Sequence, residues 1–158
     1  MTPRQLRGAF VNLTKGEASR VNLPVDLADQ PWGDLDYLGW RDPKAPLRAY
    51  LVAERDGRLC GFGLRLAQEP RGARKTMCSL CLTIGDVALM VAPRAGRAGQ
   101  AGHSVGTYIC ADLACSLYVR GKRRAASPVL QETLSAEQKS RRLVANLDTF
   151  VSRALRAA

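Results

Sequence analysis

Four of the five cysteines in this 158-residue chain stand in two close pairs, Cys78-Ser79-Leu80-Cys81 and Cys110-Ala111-Asp112-Leu113-Ala114-Cys115. Two sulfurs so spaced can reach one ion from a single backbone turn, and zinc takes four ligands tetrahedrally. The chemistry implied is metal binding by thiolates, with Cys78, Cys81, Cys110 and Cys115 as the ligands of one Zn²⁺. Four sulfurs at about 2.3 Å fill the coordination sphere and leave no position for water. The site is therefore expected to be structural rather than catalytic. Cys60 is left over, and beside Gly61 on an apolar stretch it reads as a small buried hydrophobe. His103, the single histidine, could replace a cysteine on the metal, but four well-spaced sulfurs make that unnecessary, and no nucleophile beside it suggests a catalytic base. No phosphate-cradling glycine loop, GxSxG elbow or specific carboxylate pair is present, so the sequence does not read as an enzyme.

The elements that must hold these sulfurs follow the order knuckle, β-hairpin, helix. Cys78 and Cys81 fall on a turn whose N–H groups can bond sulfur. Cys110 closes a strand, and Cys115 enters the helical turn after it, where a helix N-terminus favours a thiolate. That order is a treble-clef zinc finger, at about residues 76–124. Residues 86–92 and 104–109 read as the hairpin strands, and residues 93–102 between them as a flexible, basic, glycine-rich loop. Upstream, strands at 47–54 and 59–67 flank Asp56-Gly57, the strongest two-residue hairpin signal. Gly61 and Gly63 mark a weak point or bulge in the return strand. Arg71-Gly72 reads as the turn into the first cysteine pair, and a Ser127-Pro128 connection follows Lys122-Arg123-Arg124.

Helices are expected at both ends. Thr2-Pro3 opens one over residues 3–13, with Leu6, Phe10 and Leu13 on one face. Ser135-Ala136-Glu137-Gln138 has the form of a capping box and opens the clearest helix, about 135–156. Its apolar stripe holds Leu143, Leu147, Phe150 or Val151, and Ala154, while Arg141, Arg142, Arg153 and Arg156 lie off it and read as solvated. The aromatic-rich stretch 31–43, with Trp32, Tyr37 and Trp40, reads as a plug for one end of the core. The fold class is α+β: a small antiparallel sheet, an embedded treble clef, and helices at both termini.

Composition narrows the partners. The formal charge is +10, yet residues 1–69 carry ten Lys/Arg against nine Asp/Glu and residues 70–158 carry fourteen against five. The second half stays basic even after four thiolates on one Zn²⁺ are counted. An acidic partner met by that half is the expectation. Hydrophobic residues make up 46% of the chain but aromatics only 6%, a core that a metal staple would help. No apolar run is long enough for a membrane span and the N-terminus does not read as a signal peptide. An odd cysteine count fits metal thiolates better than disulfides. A cytoplasmic monomer is expected.

The runs Cys78-Ser-Leu-Cys81, Val105-Gly-Thr-Tyr-Ile-Cys110-Ala-Asp-Leu-Ala-Cys115-Ser116 and Val119-Arg-Gly-Lys122 resemble the C-terminal treble-clef zinc finger of elongation factor G-binding proteins of the FusB type, the FBP domain. The stretch Asp36-Tyr-Leu-Gly-Trp-Arg-Asp-Pro43 is similar to the element that opens that domain. The resemblance covers roughly residues 30–158 and sets off residues 1–29 as a short N-terminal helical segment. It implies that Cys78, Cys81, Cys110 and Cys115 hold zinc and that the zinc-bearing domain binds elongation factor G, promoting its release from the ribosome. In some bacteria that release confers resistance to fusidic acid. Tyr108, Lys122 and Phe150 match the aromatic and basic positions that such binding uses, although both aromatics also suit a core. The best-known members carry an N-terminal helical bundle ahead of this domain, whereas about 30 residues precede it here, which bears on drug resistance more than on factor binding. The alternative reading is a basic zinc finger on ribosomal or other RNA, with Arg94, Arg97, Lys122, Arg123 and Arg124 against phosphates.

Overall fold

The computed structural model describes residues 1–67, 74–125 and 132–156. The chain passes through α1 (Pro3–Ala9) and α2 (Lys15–Ser19), then β1 (Leu38–Arg41), β2 (Arg48–Arg55) and β3 (Arg58–Leu66). After these come β4 (Arg74–Met77), β5 (Ile84–Pro93), the one-turn α3 (Arg97–Gln100), β6 (Ser104–Cys110), α4 (Cys115–Val119) and α5 (Ala136–Leu155). All strand pairs are antiparallel, in the order β1-β2-β3-β5-β4, with β6 also on β5. Val87 of β5 faces Arg74 on one side and Cys110 on the other, so β6 occupies the edge opposite β4. The α+β class with a small antiparallel sheet is what the structure shows.

Side chains alternate across a strand, and here both faces are covered. From β2, Ala49, Leu51 and Ala53 enter a large core with α5 and the cysteines, while Tyr50 and Val52 enter a smaller one with Leu6, Phe10 and Trp40. From β3, Cys60, Phe62 and Leu64 join the large core. Gly61 and Gly63 therefore face the N-terminal segment. The β2–β3 register runs through both without interruption, so they form no bulge. They are a seat: a Cβ on Gly63 would lie 2.8 Å from Leu13 Cδ2. The hairpin turn is as expected, with Asp56 and Gly57 both at positive φ, as a type I′ turn requires.

The first helix is shorter than residues 3–13. It stops at Ala9, and Phe10 is extended, with Val11 N–H donating to the Gly61 carbonyl at 2.9 Å. Phe10 and Leu13 are apolar because they lie on the β3 glycines, not because they continue a helical face. Thr14 and Glu17 then form a second capping box that starts α2. The boxes at Thr2/Gln5 and Ser135/Gln138 both make their two reciprocal bonds. The basic loop at 93–102 contains α3. The turn expected at Arg71-Gly72 and the connection at Ser127-Pro128 lie outside the described residues.

The aromatic stretch divides between the two cores. Trp40 packs on Tyr50, with centroids 5.3 Å apart, and Phe10 meets Tyr50 edge-on at 5.7 Å. The Trp40 indole N–H donates to the Asn22 carbonyl at 2.9 Å. Tyr37 turns the other way, into the core around the cysteines.

Candidate metal centre

Two knuckles bring the four sulfurs together. In the first, Leu82 N–H donates to the Cys78 carbonyl at 3.0 Å and Cys78 N–H to the Thr83 carbonyl at 2.9 Å. The N–H groups of Leu80 and Cys81 point at Cys78 Sγ, at 3.4 and 3.5 Å. The knuckle is pinned to β6 by Ser79 N–H on the Tyr108 carbonyl, and to α5 by the Asn146 amide on the Leu80 carbonyl. In the second, Cys110 ends β6 and Cys115 begins α4. Asp112 accepts from Ala114 N–H and from the Tyr118 hydroxyl, shaping the turn between them. Each knuckle passes through a leucine in the left-handed region, Leu82 at φ 60° and Leu113 at φ 57°. Non-glycine residues held there cost on the order of 1–3 kcal/mol, which surrounding packing must offset.

The spacing fits a metal. All four Sγ atoms lie within 4.8 Å of one another and all four residues are buried. Cys78 and Cys115 sulfurs are 3.7 Å apart, and those of Cys81 and Cys110 are 3.5 Å apart. Sulfurs about 2.3 Å from one tetrahedral centre stand about 3.8 Å apart, whereas a disulfide holds them at about 2.0 Å. The four cysteines thus fit one structural zinc site. Hydrogen bonds from the Cys110, Cys115 and Cys81 thiols, helped by the Cys81 N–H, hold Cys78 far below the usual thiol range. Burial, and then the neighbouring sulfurs, push Cys115 well above it. Four buried negative charges cannot coexist unaided, and a divalent cation resolves the conflict. Cys60 is not part of the cluster; it is buried in β3 and burial raises its thiol. His103 is exposed and also lies outside it.

A segment distant in sequence braces the second knuckle. Arg120 at the end of α4 grips the Asp36 carboxylate with two N–H groups, at 2.7 and 3.1 Å. Ser140 of α5 donates its hydroxyl to the same carboxylate at 2.7 Å. Asp36 N–H donates to the Ser116 hydroxyl, one residue past Cys115. Burial alone would raise the Asp36 carboxyl, but Arg120 and Ser140 outweigh it and hold it below the usual range. Gly39 lets this segment approach: a Cβ there would lie 2.7 Å from Leu113 Cβ. Sequence reasoning passed over Asp36, Ser116, Arg120, Ser140 and Asn146. Their bonds to Asp36 and to the first knuckle span 66 to 104 residues, and no local pattern announces such pairs.

The residues expected to meet a partner are differently placed. Phe150 is 3% exposed and packs against Phe62 with centroids 6.4 Å apart, which leaves it no face for another molecule. Tyr108 is half-buried on β6 against the large core. Lys122 pairs with Asp34 and Arg123 with Asp112. Arg94 donates to the Arg156 carbonyl at the end of α5. Arg97 and Arg124 are exposed and have no carboxylate partner among the described residues. Arg142, expected in solvent, is half-buried and grips Glu132 at 2.8 and 3.0 Å.

One cysteine pair lies on a knuckle hydrogen-bonded to a strand, and the other spans that strand's end and the start of the next helix. This arrangement defines a treble-clef zinc-finger protein. The profile described as the FBP C-terminal treble-clef zinc-finger matches residues 5–154, nearly the whole chain, including most of α1 and all of α2. The chain belongs to the FBP zinc-finger family. No curated protein sequence matches it. Among the described residues, no helix is long and apolar enough to cross a membrane.

Proposed function

We propose that this protein binds translation elongation factor G through its zinc-bearing half, catalyses no reaction itself, and promotes release of the factor from the ribosome in the cytoplasm. The observation that supports this most is membership of the FBP family over residues 5–154. The excess of fourteen Lys/Arg over five Asp/Glu in residues 70–158 supports it further, since bacterial elongation factors are generally acidic and complementary charge speeds encounter. A closed four-sulfur sphere offers no position for chemistry, so the metal's task is to fix the surface around it. On that surface Lys122 and Arg123 are engaged within the chain, whereas Arg94 and Arg97 lie beyond the end of β6 opposite Cys110. Arg124 and the half-buried Tyr108 are therefore the residues we place foremost at the contact.

The test is binding of the nuclease-treated protein to elongation factor G from its own host, at low and physiological salt, with ribosomal RNA as competitor. A one-to-one complex that RNA does not displace is the expected result. Absence of that complex, with tight and salt-sensitive RNA binding instead, would replace this reading with an RNA-binding one.

A further inference from the structure

Buried polar groups are nearly always hydrogen-bonded, so an exception calls for a partner. Tyr37 is 3% exposed, and its hydroxyl has no hydrogen-bond partner among the described residues. The side chain is not loosely held. It lies in the core built around the four cysteines. A Cβ on Gly39 would come within 2.8 Å of its Cε2 and 2.7 Å of Leu113 Cβ, so ring and second knuckle press on the same glycine. The residue before it, Asp36, is tied to Ser116 in the first turn of α4 and to Arg120 just past its end.

The four sulfurs are not equally served. Cys78 faces two backbone N–H donors, whereas Cys81, Cys110 and Cys115 receive none among the described residues; of these three, Cys115 is completely buried and adjoins Ser116, to which the residue before Tyr37 is bonded. We infer that the Tyr37 hydroxyl donates a hydrogen bond to the Cys115 thiolate when the four cysteines hold zinc, making Tyr37 a positioning residue of the metal centre. Four thiolates on one Zn²⁺ carry a net double negative charge, and in a buried site each donor aimed at sulfur lowers its cost. A hydrogen bond to an ionised acceptor is roughly twice as strong as a neutral one. The orphaned hydroxyl and the unserved thiolate thus satisfy each other, and the aromatic stretch gains a link to the finger.

Tyr37→Phe keeps the ring and removes only the oxygen. Zinc affinity measured by chelator competition is expected to fall by about tenfold or more, with the far-ultraviolet circular dichroism unchanged. In the cobalt-substituted protein the sulfur-to-metal charge-transfer band is expected to move to longer wavelength, because a thiolate that loses a hydrogen bond donates electrons more readily. An unbonded hydroxyl would behave otherwise. Its removal would leave affinity and band unchanged and raise thermal stability by deleting a buried orphan, and that result overturns the inference. The unsubstituted protein gives a second reading that no folding defect can confuse. With cadmium in place of zinc, the Tyr37 hydroxyl proton should exchange slowly and couple to the metal nucleus; a hydroxyl proton that does neither sinks the assignment.

Discussion

The two faces of the sheet are stabilised by different means. On the N-terminal face, Trp40, Tyr50 and Phe10 pack together, and the buried Asp42 carboxylate accepts from Tyr50, Asn22 and the Lys44 N–H. Among the described residues that carboxylate has no cationic partner; neutral donors hold it below its usual range despite burial. On the other face the core holds four sulfurs whose charges only a cation can reconcile. The first face carries its own stabilisation. The second depends on what the cell supplies, so metal status can alter the finger without first dismantling the aromatic side.

Zinc removal should strain that contrast most. Structural zinc binds zinc-finger peptides with about 10–16 kcal/mol, so a chelator or Cys115→Ser is expected to abolish amide protection over residues 78–125. Both tryptophans, Trp32 and Trp40, lie with the N-terminal core, and their emission should shift only at higher chelator or denaturant concentration. Simultaneous loss of both signals would show that the faces form a single cooperative unit. The converse is Trp40→Ala, expected to cost about 3–5 kcal/mol in urea unfolding while one zinc per chain remains bound by elemental analysis. Loss of zinc in that variant would mean that the aromatic face holds the metal in place.

Asp36→Ala cuts the brace on the second knuckle and leaves Arg120, only partly exposed, without its partner. A cost of about 3 kcal/mol is expected. Because the folded carboxyl lies below its unfolded value, its contribution is fully present above about pH 4 and is lost as pH falls through the lower folded value. The wild type should therefore destabilise more steeply on acidification than Asp36→Ala, as read by melting temperature against pH. Gly63→Ala is the mildest change. The new methyl displaces the flexible Leu13 side chain at a cost of about 1 kcal/mol, and zinc affinity should not move; a change in affinity would show that strain crosses the sheet.

The parts legible in the sequence were those with local signals. Cysteine spacing located the metal site, Asp56-Gly57 the hairpin, and Ser135 with Gln138 the start of the last helix. The short strands β1 and β4, four residues each, have too little pattern of their own and exist because longer neighbours pair with them. Leu6, Phe10 and Leu13 shared helical spacing by coincidence, and only contact with β3 shows that the last two serve a sheet. Tyr37 was recognisable as an aromatic, but which core it would enter depends on a tertiary approach through Gly39. Lys122 and Arg123 read as free charge until Asp34 and Asp112 appeared beside them.

The brace at Asp36 also bears on the order of assembly. Its partners Ser116 and Ser140 lie 80 and 104 residues further along the chain. During synthesis the β2–β3 hairpin, closed by its two-residue turn, can form as soon as it emerges. The segment around Asp36 must wait, its carboxylate and the neighbouring tyrosine unmatched, until α4 and α5 have been made. Closing so long a loop is entropically slow, so the zinc finger's outer wall is completed after the hairpin and only once α5 is in place.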